Sequence, residues 1–95
     1  LPKYPAVERD MALLIPEEIT SNQVEQKIAA VGGEFLVKYR LFDVYKGKQI
    51  PKGFKSMAYN MLYQAKNKTL TDQEVSAIHN KIHQELQSSF GAKLR

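Results

Sequence analysis

The chain has 95 residues, of which 43% are apolar and 25% are charged, and this size suits one small globular domain with a single core. It contains no cysteine, which excludes disulfides, thiolate metal sites and cysteine nucleophiles and favours a reducing, cytoplasmic setting. Lysine and arginine outnumber the acids by 14 to 10, and the net charge of +4 permits a polyanionic partner without requiring one. Every apolar run is far shorter than the roughly 18 residues of a membrane helix, so we expect no membrane partner.

The first third of the chain is predicted to form a strand and then a short helix. Residues 7–15 alternate in polarity, and Pro16 ends the run. The apolar parity of this strand contains Val7, Met11, Leu13 and Ile15. Thr20 and Gln23 have the spacing of a capping box, and a pair of glycines ends the helix at Gly32. The apolar positions of the helix, at helical spacing, are Val24, Ile28 and Val31.

A second and a third strand follow, joined by a basic hairpin. In the second strand, Phe35 to Tyr45, we expect Phe42 and Val44 to face the core, and Asp43 and Tyr45 to face the other side. Its earlier half does not alternate cleanly, which indicates a β-bulge. The third strand gives the clearest alternation in the chain, with Met57, Tyr59, Met61 and Tyr63 on one face and Ser56, Ala58, Asn60 and Leu62 on the other.

The last third is predicted to be a helix and a short strand. Thr71 and Glu74 form a second capping box, and Leu70 and Val75 have the spacing of a hydrophobic staple. The apolar stripe continues through Ile78, Ile82 and Leu86 to a terminating glycine, after which residues 92–95 supply the strand. The order βαββαβ predicts an α+β, ferredoxin-like sandwich resembling an RNA recognition motif. In it, a four-stranded antiparallel sheet has two helices on one face.

The other face of this sheet is expected to be open to solvent. The alternation places on it Asp10, Ala12, Asp43, Tyr45, Ser56, Ala58 and Asn60, with Lys93 and Arg95 from the last strand. An aromatic ring among small and polar side chains suits single-stranded RNA, because bases stack on the ring and polar groups read the base edges. Four lysines around the hairpin would hold phosphates: Lys46, Lys48, Lys52 and Lys55. The pattern therefore predicts an RNA-binding face with Tyr45 as its stacking platform.

Each of these features also has a purely structural explanation. A tyrosine near a strand end is commonly a half-buried packing residue. Asp43 could simply cap the turn, and lysines in a hairpin often do no more than blunt a sheet edge. Taken alone, these residues leave open whether the face binds RNA.

Signals for other chemistry are weak. His79 and His83 lie four residues apart on the second predicted helix, but the string HNKIH lacks the glutamate of the zincin motif and a third ligand. Gly47 is interpreted as a turn glycine, not as part of a phosphate-binding loop. Arg9 and Asp10 are adjacent on a strand and point to opposite faces, so they cannot form an acid–base pair. We expect neither a metal nor a catalytic residue in this chain.

Four strings carry a resemblance to a known family. They are KYPAVERDMALL (3–14), LFDVYKGKQIPKGFKSMAY (41–59), TLTDQEV (69–75) and GAKLR (91–95). In their order and spacing they resemble the ferredoxin-fold anticodon-binding (FDX-ACB) domain at the C-terminus of the beta subunit of bacterial phenylalanine-tRNA ligase, over essentially the whole chain. A start at Leu1 without methionine is expected of a segment from a longer polypeptide, and Arg95 is expected to be its natural end.

The resemblance implies a non-catalytic domain that binds the anticodon loop of phenylalanine tRNA on its open sheet face. By carry-over from the family, Tyr45 stacks on the first anticodon base, Asp43 and Ser56 contact base edges, and Ala12 leaves room for a base beside the first strand. It also implies no cofactor for the domain itself. For the parent enzyme it implies ATP and magnesium, catalysis on the alpha subunit, and a cytoplasmic tetramer of two alpha and two beta subunits.

Two other functions remain open. A protein-interaction module with this fold would use the sheet face or the helices, and its affinity would be nearly independent of salt. A small hydrolase of the acylphosphatase kind would need a phosphate cradle rich in arginine and glycine after the first strand. Residues 15–22, IPEEITSN, offer acids there instead, which disfavours the hydrolase.

Overall fold

The computed structural model describes residues 4–95, and in this part of the chain the elements follow the order βαββαβ. They are β1 (Val7–Pro16), α1 (Ser21–Gly32), β2 (Leu36–Tyr45), β3 (Phe54–Tyr63), α2 (Asp72–Phe90) and β4 (Lys93–Leu94). The strands pair antiparallel in the order β2-β3-β1-β4. The predicted ferredoxin-like α+β fold is confirmed. The expectation of a longer parent protein rests partly on Leu1. This residue lies outside the described residues.

The core lies between one face of the sheet and the two helices. The central strands bring their apolar parities together, with Leu13 opposite Met57 and Met11 opposite Tyr59. The helices cover these residues with their own apolar stripes, which contribute the buried Val24, Ile28, Val75, Ile82 and Leu86. Burial of a large apolar side chain contributes about 1.5–3 kcal/mol. The helices are therefore held on this one side, and the opposite face of the sheet remains open.

Both helices begin at the predicted capping boxes. In α1, the Thr20 hydroxyl accepts a hydrogen bond from the Gln23 backbone N–H at 3.2 Å, and the Gln23 side chain accepts one from the Thr20 N–H at 2.9 Å. In α2, Thr71 and Glu74 form the same reciprocal pair at 3.1 and 3.0 Å. Gly91 ends α2 in the left-handed conformation, with a φ of 72°. These local signals fix where the helices start and where α2 stops.

The alternation predicted for β2 fails at Phe42. Leu41 lies opposite Tyr59 and Asp43 lies opposite Ala58, so Phe42 is an extra residue in a β-bulge. Phe42 is 46% exposed, and the centre of its ring lies 5.9 Å from the guanidinium carbon of Arg40 on the open face. The expectation that Phe42 packs into the core is therefore wrong, because a bulge breaks the period-two alternation.

Val44 also departs from the prediction, for a different reason. It lies opposite the buried Met57, on the predicted parity, but its side chain is 49% exposed. Because β2 is an edge strand of the sheet, no other strand among residues 4–95 covers Val44 on its outer side. A second irregularity, between Leu36 and Lys38, accounts for the unclear alternation at the start of this strand. The predicted bulge is thus confirmed, and β2 contains two irregularities.

Candidate nucleic-acid interface

The residues predicted to contact bases lie on two adjacent rows of the open face. Pairing across β1, β3 and β2 gives one row of Ala12, Ala58 and Asp43 and a next row of Leu14, Ser56 and Tyr45. Strands are about 4.8 Å apart, and residues on one face of a strand are about 6.8 Å apart. These six positions, which we call the open-face patch, thus span about 10 by 7 Å. Fold and register bring together residues up to 46 positions apart in the sequence, from Ala12 to Ala58.

Within the open-face patch, the side chains differ in how far solvent can reach them. Ala12 and Asp43 are exposed, and Tyr45 is 38% exposed. Ala58 and Ser56 lie on β3, between these residues, and have small side chains. Ser56 is only 1% exposed. Small residues beside a ring leave space for a flat group to lie against the sheet. Three of the predicted residues are therefore accessible, and the fourth, Ser56, is covered.

Ser56 is covered by Arg95. A guanidinium nitrogen of Arg95, Nη1, donates a hydrogen bond to Ser56 Oγ at 3.0 Å, and its Cζ lies 5.7 Å from the centre of the Tyr45 ring. The backbone N–H of Arg95 donates to the Ala12 carbonyl at 3.0 Å. The alternation placed Arg95 on the open face, but it carried no information about how far this long side chain reaches.

Gly47 packs against the Tyr45 side chain. A Cβ at Gly47 would lie 2.4 Å from the Tyr45 hydroxyl oxygen and 2.7 Å from Cζ, well inside contact distance. The glycines with a positive φ are Gly33, Gly53 and Gly91, and Gly47 is not one of them. Its role is therefore to allow close approach of the ring, and not to adopt a left-handed turn. The sequence predicts a turn glycine at this position but gives no sign of its contact with Tyr45.

The hairpin between β2 and β3 carries three of the four predicted lysines in exposed positions: Lys46, Lys48 and Lys52. The loop is anchored by Ile50, which is 7% exposed and whose N–H donates to the Gly47 carbonyl at 3.0 Å. Lys55 lies opposite Ile15, on the parity of β3 that faces the helices. The structure thus places Lys55 on the other side of the sheet from the open-face patch, because β3 has already begun and alternates there.

Two further cations border the open face. Lys93 lies opposite Leu14, with its Nζ 5.6 Å from the centre of the Phe54 ring. Arg40 lies opposite Asn60 and next to the bulged Phe42. Arg40 was missed because its face depends on the register of β2, which two irregularities obscure.

His79 of α2 packs against Tyr63. The Tyr63 hydroxyl and His79 Nδ1 share a hydrogen bond of 2.9 Å. Burial lowers the pKa of His79 and raises the pKa of Tyr63 to about 12. Arg9 donates to Ser76 at 3.2 Å on the helix side of the sheet.

Residues 4–95 contain neither a cluster of metal-ligating side chains nor a helix that could span a membrane. Within these residues, no three His, Asp or Glu side chains come together as a metal site would require. None of the helices described is long and apolar enough to cross a membrane.

The fold and the open-face patch define a ferredoxin-like α+β domain with one sheet face available for a ligand. Residues 2–95 match the profile of the family described as the ferredoxin-fold anticodon binding domain. The chain belongs to this family, as the four strings in the sequence indicated. The description of the family names a binding function, which agrees with the expectation that the domain is not itself catalytic.

The chain is also similar to part of several larger proteins. The chain is 52% identical to the phenylalanine–tRNA ligase beta subunit of Clostridium tetani, 47% to that of Clostridium acetobutylicum and 46% to that of Halalkalibacterium halodurans. Each match covers all of this chain but only 12% of the relative. The chain therefore corresponds to a small part of each of these subunits.

Proposed function

We propose that this domain binds the anticodon loop of phenylalanine tRNA on its open sheet face, as part of the beta subunit of a phenylalanine-tRNA ligase. The observation that carries the proposal is that Ala12, Asp43, Ser56 and Tyr45 lie on two adjacent rows of one face. The family description supports the anticodon as the ligand, and the names of the relatives support the tRNA and the parent enzyme.

Each residue of the open-face patch has a distinct role in this proposal. The exposed Tyr45 ring stacks on the first anticodon base, an interaction worth about 1–3 kcal/mol. The Asp43 carboxylate accepts hydrogen bonds from the N–H groups of a base, and the Ser56 hydroxyl can donate or accept one. Ala12 lets the bound base approach β1 closely. Together they distinguish the anticodon from other single-stranded RNA.

The hairpin lysines supply attraction that does not depend on sequence. Lys46, Lys48 and Lys52 are exposed beside the Tyr45 end of β2 and contact phosphates of the loop. Each phosphate contact changes the slope of log affinity against log salt by about −0.7 for a single strand. Three contacts therefore predict a loss of about 20-fold in affinity between 50 and 200 mM salt.

The domain contributes binding energy to a reaction that takes place elsewhere. In the proposal, holding the anticodon positions the tRNA so that its acceptor end reaches the active site on the alpha subunit. ATP and magnesium act there, and the assembly is a cytoplasmic tetramer of two alpha and two beta subunits. Residues 4–95 form no group of three metal-ligating side chains.

One observation favours a protein ligand as a second candidate. The edge strand β2 exposes three apolar side chains, Val37, Phe42 and Val44. A protein bound there would show little dependence on salt, unlike RNA. The hydrolase gains no support, because the turn after β1 presents the exposed acids Glu17 and Glu18 where a phosphate cradle would be needed.

The stacking role of Tyr45 can be tested with a fluorescent anticodon stem-loop. We expect Tyr45→Ala to weaken binding by about 5- to 140-fold, from the stacking energy of about 1–3 kcal/mol. Tyr45→Phe is the matched control, because it keeps the ring, and its affinity should stay within about twofold. Equal affinities for Tyr45→Ala and the unmodified domain, measured by anisotropy, would contradict the proposal.

A further inference from the structure

Arg95 reaches across the sheet to the residues proposed to bind RNA. Its backbone N–H is hydrogen-bonded to Ala12 on β1, and its side chain crosses that strand to Ser56 on β3 and Tyr45 on β2. One residue thus touches three of the four residues proposed to contact bases. Its side chain remains exposed to solvent, unlike the Ser56 hydroxyl beneath it.

The guanidinium occupies the space that a stacked base would need. It is planar, lies over the Tyr45 ring and donates a hydrogen bond to the polar group below, as a base would. Gly47 already packs against the hydroxyl end of the same ring. A base therefore cannot stack on the covered face of Tyr45 or reach Ser56 while Arg95 stays in this position.

We propose that Arg95 fills the open-face patch in the free domain and leaves Tyr45 and Ser56 when an anticodon base binds, its charge passing to an RNA phosphate. This inference rests on the proposed function. Only the side chain has to move, because the backbone of Arg95 stays hydrogen-bonded to Ala12. The exchange is favourable because an exposed cation–π contact is weaker than base stacking, and a guanidinium pairs well with phosphate.

The movement of Arg95 can be followed by NMR on the whole chain. In the free domain, the ring current of Tyr45 should shift the Arg95 δ protons upfield. Saturation with the phenylalanine anticodon stem-loop should remove this shift. Arg95→Ala should reduce the salt slope of binding by about 0.7, so that the ratio of its affinity to that of the unmodified domain changes about 2.6-fold between 50 and 200 mM salt.

Lys93→Ala is the matched control for Arg95→Ala. It removes the same charge from the same face, two residues before Arg95, but Lys93 lies over Phe54 and not over Tyr45. In the free domain, Arg95→Ala should expose Ser56 and Tyr45 to a dissolved paramagnetic probe, and Lys93→Ala should leave their signals unchanged.

The outcomes separate this inference from the proposed function. If the stem-loop binds and the Arg95 δ protons keep their upfield shift at saturation, the displacement of Arg95 is refuted and anticodon binding stands. If the free domain shows no upfield shift, Arg95 does not fill the patch and the inference is likewise overturned. If anisotropy detects no binding of the stem-loop, the proposed function fails, and the inference falls with it.

Discussion

Replacing Gly47 with alanine should weaken RNA binding while leaving the fold intact. The added Cβ would lie 2.4 Å from the Tyr45 hydroxyl oxygen, whereas ordinary contacts begin near 3.4 Å. The end of the ring must therefore move by at least about 1 Å. Because Tyr45 is 38% exposed and lies at the end of β2, its side chain can rotate toward solvent without disturbing the core.

The expected magnitude follows from what the displaced ring would have contributed. Loss of the stack removes up to about 1–3 kcal/mol of binding free energy, which is up to about 5- to 140-fold in affinity. The free energy of unfolding should change by less than about 0.5 kcal/mol, as is usual for surface substitutions. Gly47 has no positive φ, so alanine introduces no left-handed strain there.

Gly53→Ala in the same hairpin should instead lower the stability of the fold and leave RNA binding unchanged. Gly53 has a φ of 85°, and a Cβ there would have no atom within 4 Å. The cost is therefore backbone strain alone, about 1–2 kcal/mol, or a fall in Tm of roughly 4–8 °C for each kcal/mol. The position of Tyr45 is unaffected, so the folded fraction should bind RNA normally.

The two variants can be compared by thermal unfolding and by anisotropy with the anticodon stem-loop. We expect Gly47→Ala to lose affinity at unchanged Tm, and Gly53→Ala to have a lower Tm at unchanged affinity. If Gly47→Ala bound as tightly as the unmodified domain, the position of the Tyr45 ring would not matter to binding. The close contact between Gly47 and Tyr45 would then have no role in RNA binding.

Three further substitutions test other parts of the account. Asp43→Ala should reduce discrimination between the phenylalanine anticodon and altered anticodons in competition binding, and an unchanged ratio of affinities would remove Asp43 as a base reader. Thr71→Ala removes the N-cap of α2 and should cost about 1 kcal/mol in denaturant unfolding, with RNA affinity retained; unaltered stability would contradict the capping role. Burial lowers the pKa of His79 below its ordinary 6.5. The neutral imidazole therefore contributes fully to stability above pH 6.5, and this contribution is lost as the pH falls through the pKa of the folded state. His79→Gln should flatten this decline between pH 7 and 5, and parallel pH profiles for the two proteins would exclude His79 as its source.

The sequence was sufficient to predict most of the fold, because its strongest signals are local. The capping boxes at Thr20 and Thr71 depend only on residues three apart, and the alternation of β3 assigns each side chain to a face. These signals are enough to place Tyr45 and Ser56 on the same side of the sheet. They require no knowledge of how distant segments pack.

What could not be predicted depends on register and on reach across strands. The bulge at Phe42 shifts the side-chain pattern of β2, and its position is set by pairing with β3. Arg95 covers Ser56 with its long side chain, although the two residues are 39 positions apart in the sequence. The contact of Gly47 with the ring of Tyr45 arises from the path of the hairpin, and a glycine in a turn gives no sign of it.

Recognition of the anticodon can be tested by an NMR titration of the isotopically labelled domain with two stem-loops, one carrying the phenylalanine anticodon and one an altered anticodon. We expect chemical-shift changes centred on Ala12, Asp43, Tyr45 and Ser56 that are strong with the first loop and greatly reduced with the second. Changes confined to the hairpin lysines and equal for both loops would contradict this expectation. The face would then be a basic surface that does not read the anticodon.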